Sequence, residues 1–206
     1  MVLYGSEGMA HANASMSMAE TEAVTLDILV LAKEDDIKVI ATIAVAFTCP
    51  FDGSTAQSTV TQLVAKFLEA GADQVVLADT IGAANPQQVR ELCAPLVRCH
   101  GAEKLGCHFH DTRAMGLANV YAALESGIRR FDSSIAGLGG CPFAPGASGN
   151  VATDDIAMML QQMGYETGID LNKLMQASDL AQALTGTAPG GRAKAWLQGH
   201  LIKQAS

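Results

Sequence analysis

The sequence contains few basic residues and no run of them. Lysine and arginine together number 13, against 21 aspartates and glutamates, and the formal net charge is -8 at pH 7. Proteins that bind nucleic acid or an anionic membrane surface use clustered lysine and arginine side chains, which the phosphate groups attract. We therefore expect neither nucleic acid nor membrane among the partners of this chain.

The sequence also lacks the features of a secreted or membrane protein. No basic cluster precedes an apolar block in residues 1–23, so neither a signal peptide nor a transit peptide is predicted. The longest apolar run, residues 39–49, is too short to span a bilayer. No CxxC pair occurs among the cysteines, which indicates free thiols in a reducing compartment: Cys49, Cys93, Cys99, Cys107 and Cys141. We expect a cytoplasmic protein.

A dinucleotide-binding GxGxxG fingerprint is absent too, whereas strands and helices alternate regularly. The β-branched and apolar segments predict strands at 37–45, 74–78, 105–109 and 129–135. Helical periodicity runs over 58–70, and Asn85 and Pro86 begin another helix as N-cap and first residue. With 206 residues and 49% hydrophobic content the chain can bury one core. We predict a single α/β domain, 1–206, of the TIM (β/α)8-barrel type.

Residues with catalytic or ligating side chains fall where the predicted strands end, the side of such a barrel that carries active sites: Asp79, His108, His110, Cys141 and Asn150. His108 and His110 are two residues apart, so their imidazoles share one face of a strand. They are a candidate pair of metal ligands. The alternative, that they are ordinary core or loop histidines, is equally compatible with the sequence. Asp79 is a candidate substrate contact or a turn aspartate, and Asp111 a helix cap or a partner that orients an imidazole.

Cys141 and Asn150 lie in a loop, residues 137–150, that contains five glycines. Such a composition is typical of a mobile loop that approaches a ligand closely, so Cys141 is interpreted as a reactive thiol and not as core. Thr153 and Asp154 are suited to cap the following helix. Asn150 is then free to offer its carbonyl oxygen to a metal.

Three segments resemble the signature segments of the 3-hydroxy-3-methylglutaryl-CoA (HMG-CoA) lyase family, metal-dependent barrels related to isopropylmalate synthase. They are LADTIG at 77–82, HFHDT at 108–112 and the glycine-rich loop at 137–150. The resemblance extends from Tyr4 to Leu184. It implies cleavage of an acyl-CoA, HMG-CoA, to acetyl-CoA and acetoacetate, as in leucine degradation, with Mg²⁺ or Mn²⁺ as cofactor.

The resemblance also assigns roles to residues. It implies that His108, His110 and Asn150 are metal ligands. It implies that Cys141 is the acid that protonates the departing acetyl-CoA enolate, and that Asp79 is an active-site carboxylate. The catalytic set is then Cys141, His108 and Asp79.

One family segment is missing from the sequence. Family members begin with a strand that carries an Arg-Glu or Arg-Asp pair, whose aspartate is a further metal ligand and whose arginine stabilises the enolate oxygen. We therefore expect about the last five βα units, the C-terminal two-thirds of the barrel. Five strands cannot close as eight do, so we expect unpaired sheet edges lined by Val39, Ile43 and Val76. Such edges predict a homo-oligomer. The missing arginine and carboxylate ligand predict that the chain alone has no lyase activity.

Alternatives remain within and beyond the enzyme class. A citramalyl-CoA lyase or a 2-keto acid aldolase is the alternative among enzymes, because substrate specificity depends on the pocket. An inactive remnant that serves as a metal-binding or oligomeric module is the alternative of another class.

Overall fold

The computed structural model describes residues 1–140, 149–186 and 191–204. They form two compact units, one of residues 1–132 and one that begins with Ser133–Gly140 and continues through 149–186 and 191–204. The single domain expected from the chain length stays a prediction. None of the helices within these ranges is long and apolar enough to cross a membrane.

Strands and helices alternate along the chain, as the sequence predicts. The strands are β1 Val2–Tyr4, β2 Ile40–Ala44, β3 Thr48–Cys49, β4 Gly53–Ser54, β5 Gln74–Asp79, β6 Leu105–Phe109 and β7 Phe131–Asp132. The helices are α1 Glu7–Ala14, α2 Met18–Glu34, α3 Gln57–Glu69, α4 Pro86–His100, α5 Gly116–Glu125, α6 Thr153–Gln162, α7 Leu171–Thr185 and α8 Lys194–Gln204.

Five strands of the first unit form a parallel sheet in the order β1-β2-β5-β6-β7. Ala44 of β2 pairs with Ala78 of β5, and Ala78 pairs with His108 of β6. The carboxyl ends of the three central strands therefore lie side by side. This register brings Asp79, His108 and His110, which follows β6, to the carboxyl end of the sheet.

Local sequence explains why the central elements form. All six residues of β5 are buried, as a strand covered on both faces requires. The apolar positions of α3 lie on its buried face: Val60, Leu63, Val64 and Phe67. Asn85 caps α4 by accepting hydrogen bonds from the amides of Gln87 and Gln88 at 3.0 and 3.1 Å. The predicted start of α4, with Asn85 as N-cap and Pro86 as first residue, is confirmed.

The described sheet has two unpaired edges, as expected, but the residues predicted to line them are wrong. The outer strands of the described sheet are β1 and β7, and each pairs on one side only. Ile43 and Val76 belong to the central strands β2 and β5, and both are buried, as is Val39 just before β2. The sequence pattern identifies apolar strand residues, but strand order decides which of them reach an edge.

The strand predicted at 129–135 is shorter than expected. Only Phe131–Asp132 pairs with β6, and a turn of 3-10 helix at Ile135–Gly137 follows. In this turn Ala136 adopts a left-handed conformation with φ 61°. Its amide donates to Oδ2 of Asp154 at 3.0 Å, a contact 18 residues away that local pattern cannot anticipate.

Candidate functional site

His108 and His110 lie together at the carboxyl end of β6. Their ring centroids are 5.2 Å apart and the ring planes are inclined by 59°. This proximity agrees with the shared face expected from their spacing. The opposite face of the strand packs against a helix: the Sγ of Cys107 lies 3.8 Å from the Sγ of Cys93 in α4. The strand therefore separates the imidazole pair from buried thiols.

His110 is held as a neutral imidazole. Its side chain is buried, with the residue 6% exposed, and burial together with the charge of neighbouring His108 lowers its pKa to about 4. Its Nδ1 is buried and has no hydrogen-bond partner in the part of the chain that the structure describes. A neutral, unpartnered ring nitrogen is suited to binding a cation.

Asp79 ends β5 next to the histidine strand. The residue is 1% exposed, and its Oδ1 and Oδ2 accept hydrogen bonds from the amides of Ala83 and Ala84 at 2.8 and 3.1 Å. Burial raises the pKa of this carboxyl to about 6, while the two amides and the charge of Arg113 limit the rise. The group therefore exchanges a proton near neutral pH, as a general acid or base must.

The loop after β5 is joined to the loop after β6. Arg113 donates from Nε to the carbonyl of Gly82 at 2.9 Å, and from Nη2 to the carbonyls of Ala83 and Ala84. Asn119 of α5 donates from Nδ2 to the carbonyl of Ala84 at 3.1 Å. Sequence reasoning missed both residues. The available signal was the position of Arg113 directly after the HFHDT segment.

Asp111 begins the connection to α5, although the cap expected there differs in detail. The helix starts at Gly116, and its amide donates to Oδ1 of Asp111 at 2.7 Å across five residues. Asp111 thus accepts from a free amide at the helix start. It lies five residues before that amide, whereas an N-cap residue lies two or three residues before the amide that it binds. The alternative role of Asp111, to orient an imidazole, stays a prediction.

Asn150 lies in the second unit and is considered there by itself. Its Nδ2 donates to the carbonyl of Leu138 at 2.7 Å, and its buried Oδ1 has no partner within the described ranges. The expected caps of the next helix are wrong. Ala152 is the N-cap of α6, and its methyl group cannot accept a capping hydrogen bond. The carboxylate of Asp154 accepts from the amide of Ala136 instead. The carbonyl oxygen of Asn150 is nonetheless unpaired.

Cys141, the expected thiol acid, lies outside the described residues. Its assignment stays a prediction that depends on the sequence and on the resemblance of its loop. The other four cysteines are described and are free thiols: Cys49, Cys93, Cys99 and Cys107.

The residues expected to hold a metal fit a divalent cation in their chemistry. His110 and Asn150 each present a buried, unpartnered acceptor atom, Nδ1 and Oδ1 respectively. Nitrogen and amide oxygen are ligands that Mn²⁺ accepts, and oxygen suits Mg²⁺. Within the described ranges no three His, Cys, Asp or Glu side chains form a metal-holding group. The two imidazoles belong to the first unit and the amide of Asn150 to the second, and their joint role as ligands stays a prediction.

The chain is similar to known proteins over most of its length. The model of the family described as HMGL-like matches residues 2–181. The hydroxymethylglutaryl-CoA lyase of Pseudomonas mevalonii is 41% identical over 188 residues, which cover 91% of this chain and 62% of that protein. The (R)-citramalyl-CoA lyase of Chloroflexus aurantiacus is 38% identical over 186 residues, covering 90% and 59% of the two chains.

A solved structure shows the same similarity. The structure of an HMG-CoA lyase from Acinetobacter baumannii, in complex with coenzyme A and 3-methylmalate, has a TM-score of 0.88 and 41% identity. The match covers 93% of this chain and 63% of that one. The predicted TIM-barrel class is confirmed, and the chain spans less than two thirds of the length of these relatives.

Proposed function

The chain belongs to the HMGL-like family, and from this premise we propose that it provides the carbon–carbon lyase chemistry that cleaves HMG-CoA to acetyl-CoA and acetoacetate. The observation that carries the proposal is the neutral imidazole of His110 beside His108, at the same carboxyl end of the sheet as the buried carboxyl of Asp79. An acyl-CoA substrate is supported by the relatives, one of which was solved with coenzyme A. The corresponding physiological role is leucine degradation.

We also propose a divalent cation, Mg²⁺ or Mn²⁺, held by His108 and His110. The resemblance adds Asn150 as a ligand, and its unpaired Oδ1 supports that assignment. When bound, such a cation would withdraw electron density from the substrate hydroxyl and lower the pKa of that hydroxyl. Imidazole ligands favour Mn²⁺ over Mg²⁺.

The chain's own residues divide the proton transfers. The C3 hydroxyl of HMG-CoA loses its proton, the C2–C3 bond breaks, and acetoacetate separates from the enolate of acetyl-CoA. Asp79 is a carboxylate at this site whose pKa of about 6 allows proton exchange at neutral pH. Cys141 would deliver a proton to the enolate carbon from its glycine-rich loop. These roles follow from the resemblance and from the chemistry of the residue types.

A citramalyl-CoA lyase is the second candidate function. It is favoured by the 38% identity to the Chloroflexus aurantiacus enzyme, which is close to the 41% identity to the Pseudomonas mevalonii lyase. Both reactions break a carbon–carbon bond next to a hydroxyl-bearing carbon of an acyl-CoA. They differ in the substituent on that carbon, so the pocket decides between them.

Two properties of the protein in the cell are also proposed. A homo-oligomer is supported by β1 and β7, which each pair on one side only in the described sheet. A cytoplasmic location is supported by Cys93 and Cys107, whose thiols lie 3.8 Å apart without a disulfide.

The experiment that tests the lyase proposal replaces the matching region of the Pseudomonas mevalonii enzyme with this chain. Purified chimera is incubated with Mn²⁺ and either HMG-CoA or citramalyl-CoA, and products are identified by mass spectrometry. We expect acetyl-CoA and acetoacetate from HMG-CoA, with turnover reduced by orders of magnitude in Cys141→Ala. Cleavage of citramalyl-CoA alone would favour the second candidate. A folded chimera that cleaves neither substrate would contradict the lyase proposal and favour a remnant without activity.

A further inference from the structure

The loop at residues 80–84 determines how the carboxylate of Asp79 is oriented. The two carboxylate oxygens of Asp79 bind the amides of Ala83 and Ala84, so the orientation of the carboxylate follows the path of this loop. The amide of Gly82 also donates to the main-chain carbonyl of Asp79 at 3.1 Å. The amides of the loop therefore point inward to Asp79, and its carbonyl groups need donors from elsewhere.

Arg113 provides most of those donors. Its guanidinium reaches the carbonyls of Gly82, Ala83 and Ala84, three consecutive groups, from the segment that follows the histidine strand. A planar guanidinium can serve several acceptors at once because its N–H groups have fixed directions, which a lysine ammonium does not reproduce. Hydrogen bonds from a charged donor are about twice as strong as neutral ones.

The two loops are also in close packing contact. Gly82 has φ 65°, and a Cβ built on it would lie 3.0 Å from the carbonyl oxygen of His110 and 3.0 Å from the backbone nitrogen of Thr112. The loop that presents Asp79 thus lies directly on the segment that follows His110. A change in one loop is transmitted to the other through this contact.

We propose that Arg113 is a positioning residue of the candidate site, which clamps residues 82–84 through their carbonyl groups and so holds two backbone amides on the carboxylate of Asp79. The role deepens the proposed lyase function and rests on it only for the effect on turnover. Asn119 assists from α5 by its hydrogen bond to the carbonyl of Ala84. Removing the guanidinium releases the loop, although Arg113 itself makes no contact with substrate in this proposal.

Amide hydrogen exchange of the full chain, followed by NMR, tests the clamp without any substrate. In Arg113→Ala we expect the amides of Ala83 and Ala84 to exchange about tenfold faster or more. The carbonyl of each residue loses its hydrogen bond from the guanidinium, so the loop that holds the two amides on Asp79 opens more often. Ethylguanidinium added at low concentration should restore their protection, and sodium chloride at equal ionic strength should not. Arg90→Ala is the matched control, because Arg90 is an exposed arginine that pairs with Glu125 at 2.9 Å.

Arg113→Lys keeps the positive charge but removes the planar guanidinium. This variant also tests the clamp if Arg113→Ala fails to fold. We expect fast exchange of the same two amides at an unchanged melting temperature. Full protection in the lysine variant, or unchanged exchange in Arg113→Ala, would overturn the clamp.

In an active chimera, Arg113→Ala should lower kcat with KM unchanged. An unchanged kcat would overturn the positioning role, whereas an inactive parent chimera counts against the lyase proposal alone and leaves the exchange result decisive.

Discussion

The side-chain amide of Asn150 donates from Nδ2 to the carbonyl of Leu138 at 2.7 Å, which fixes the amide, and its Oδ1 has no partner among the described residues. A buried acceptor without a partner costs free energy, and a cation would satisfy it. We expect Asn150→Ala to weaken Mn²⁺ binding by about tenfold or more. Asn172→Ala, at an exposed position, is the control. Equal Mn²⁺ affinity of the two variants, measured by calorimetry, would remove Asn150 from the ligand set.

Asp79 makes stability depend on pH in a definite direction. Burial raises its pKa from the ordinary 3.8 to about 6, so the folded state binds more protons than the unfolded state between these values. The stabilising contribution is fully present below pH 3.8 and is lost as the pH rises through 6. Between pH 3.5 and 7 the unfolding free energy of the wild type should fall by about 3 kcal/mol more than that of Asp79→Asn.

Urea denaturation of the two proteins at several pH values measures that difference. The other carboxyl groups contribute equally to both, so they cancel. A difference between wild type and variant that stays constant with pH would show that Asp79 titrates normally in the folded protein.

Asp155 ties the start of α8 to α6. Its Oδ1 accepts from the amide of Ala193 at 2.7 Å and its Oδ2 from that of Arg192 at 3.1 Å, although the residue is buried. Asp155→Ala leaves two amides unpaired and should lower the unfolding free energy by about 1–3 kcal/mol. Asp27→Ala, at an exposed site of α2, should change it by less than about 0.5 kcal/mol. Equal effects in thermal denaturation would mean that the contacts of Asp155 stabilise nothing.

Phe67 anchors α3 in the core of the first unit. It is fully buried, whereas Phe51 is half exposed. Phe67→Ala should destabilise the protein by about 3–5 kcal/mol through lost burial and a residual cavity. Phe51→Ala should cost much less, and similar melting temperatures for the two variants would argue against this placement of α3.

Sequence patterns that depend on near neighbours predict this fold well. The alternation of β-branched segments and helices, the Asn85 cap and the i, i+2 relation of His108 and His110 all reappear in the structure. These features depend on side-chain period and on hydrogen bonds within a few residues. Family resemblance extended them to the barrel class, which comparison confirms.

Features that depend on distant residues could not be predicted in this way. The carboxylate of Asp154 was expected to cap its own helix and instead binds Ala136, and Val76 was expected at an edge and is central. The arginine clamp on residues 82–84 joins groups about thirty positions apart, a relation fixed only when β5 and β6 pair. Hydrogen bonds between loops are set by tertiary structure and leave no periodic trace in sequence.

Titration of the chain with Mn²⁺ tests the assignment of His108 and His110 most directly. Calorimetry and water-proton relaxation should detect weak binding to the wild type, because no three His, Cys, Asp or Glu side chains form a metal-holding group within the described ranges. The double variant His108→Ala, His110→Ala should show none, and His11→Ala, an exposed histidine of α1, should bind as the wild type does. Binding that persists unaltered in the double variant would contradict the proposed metal site.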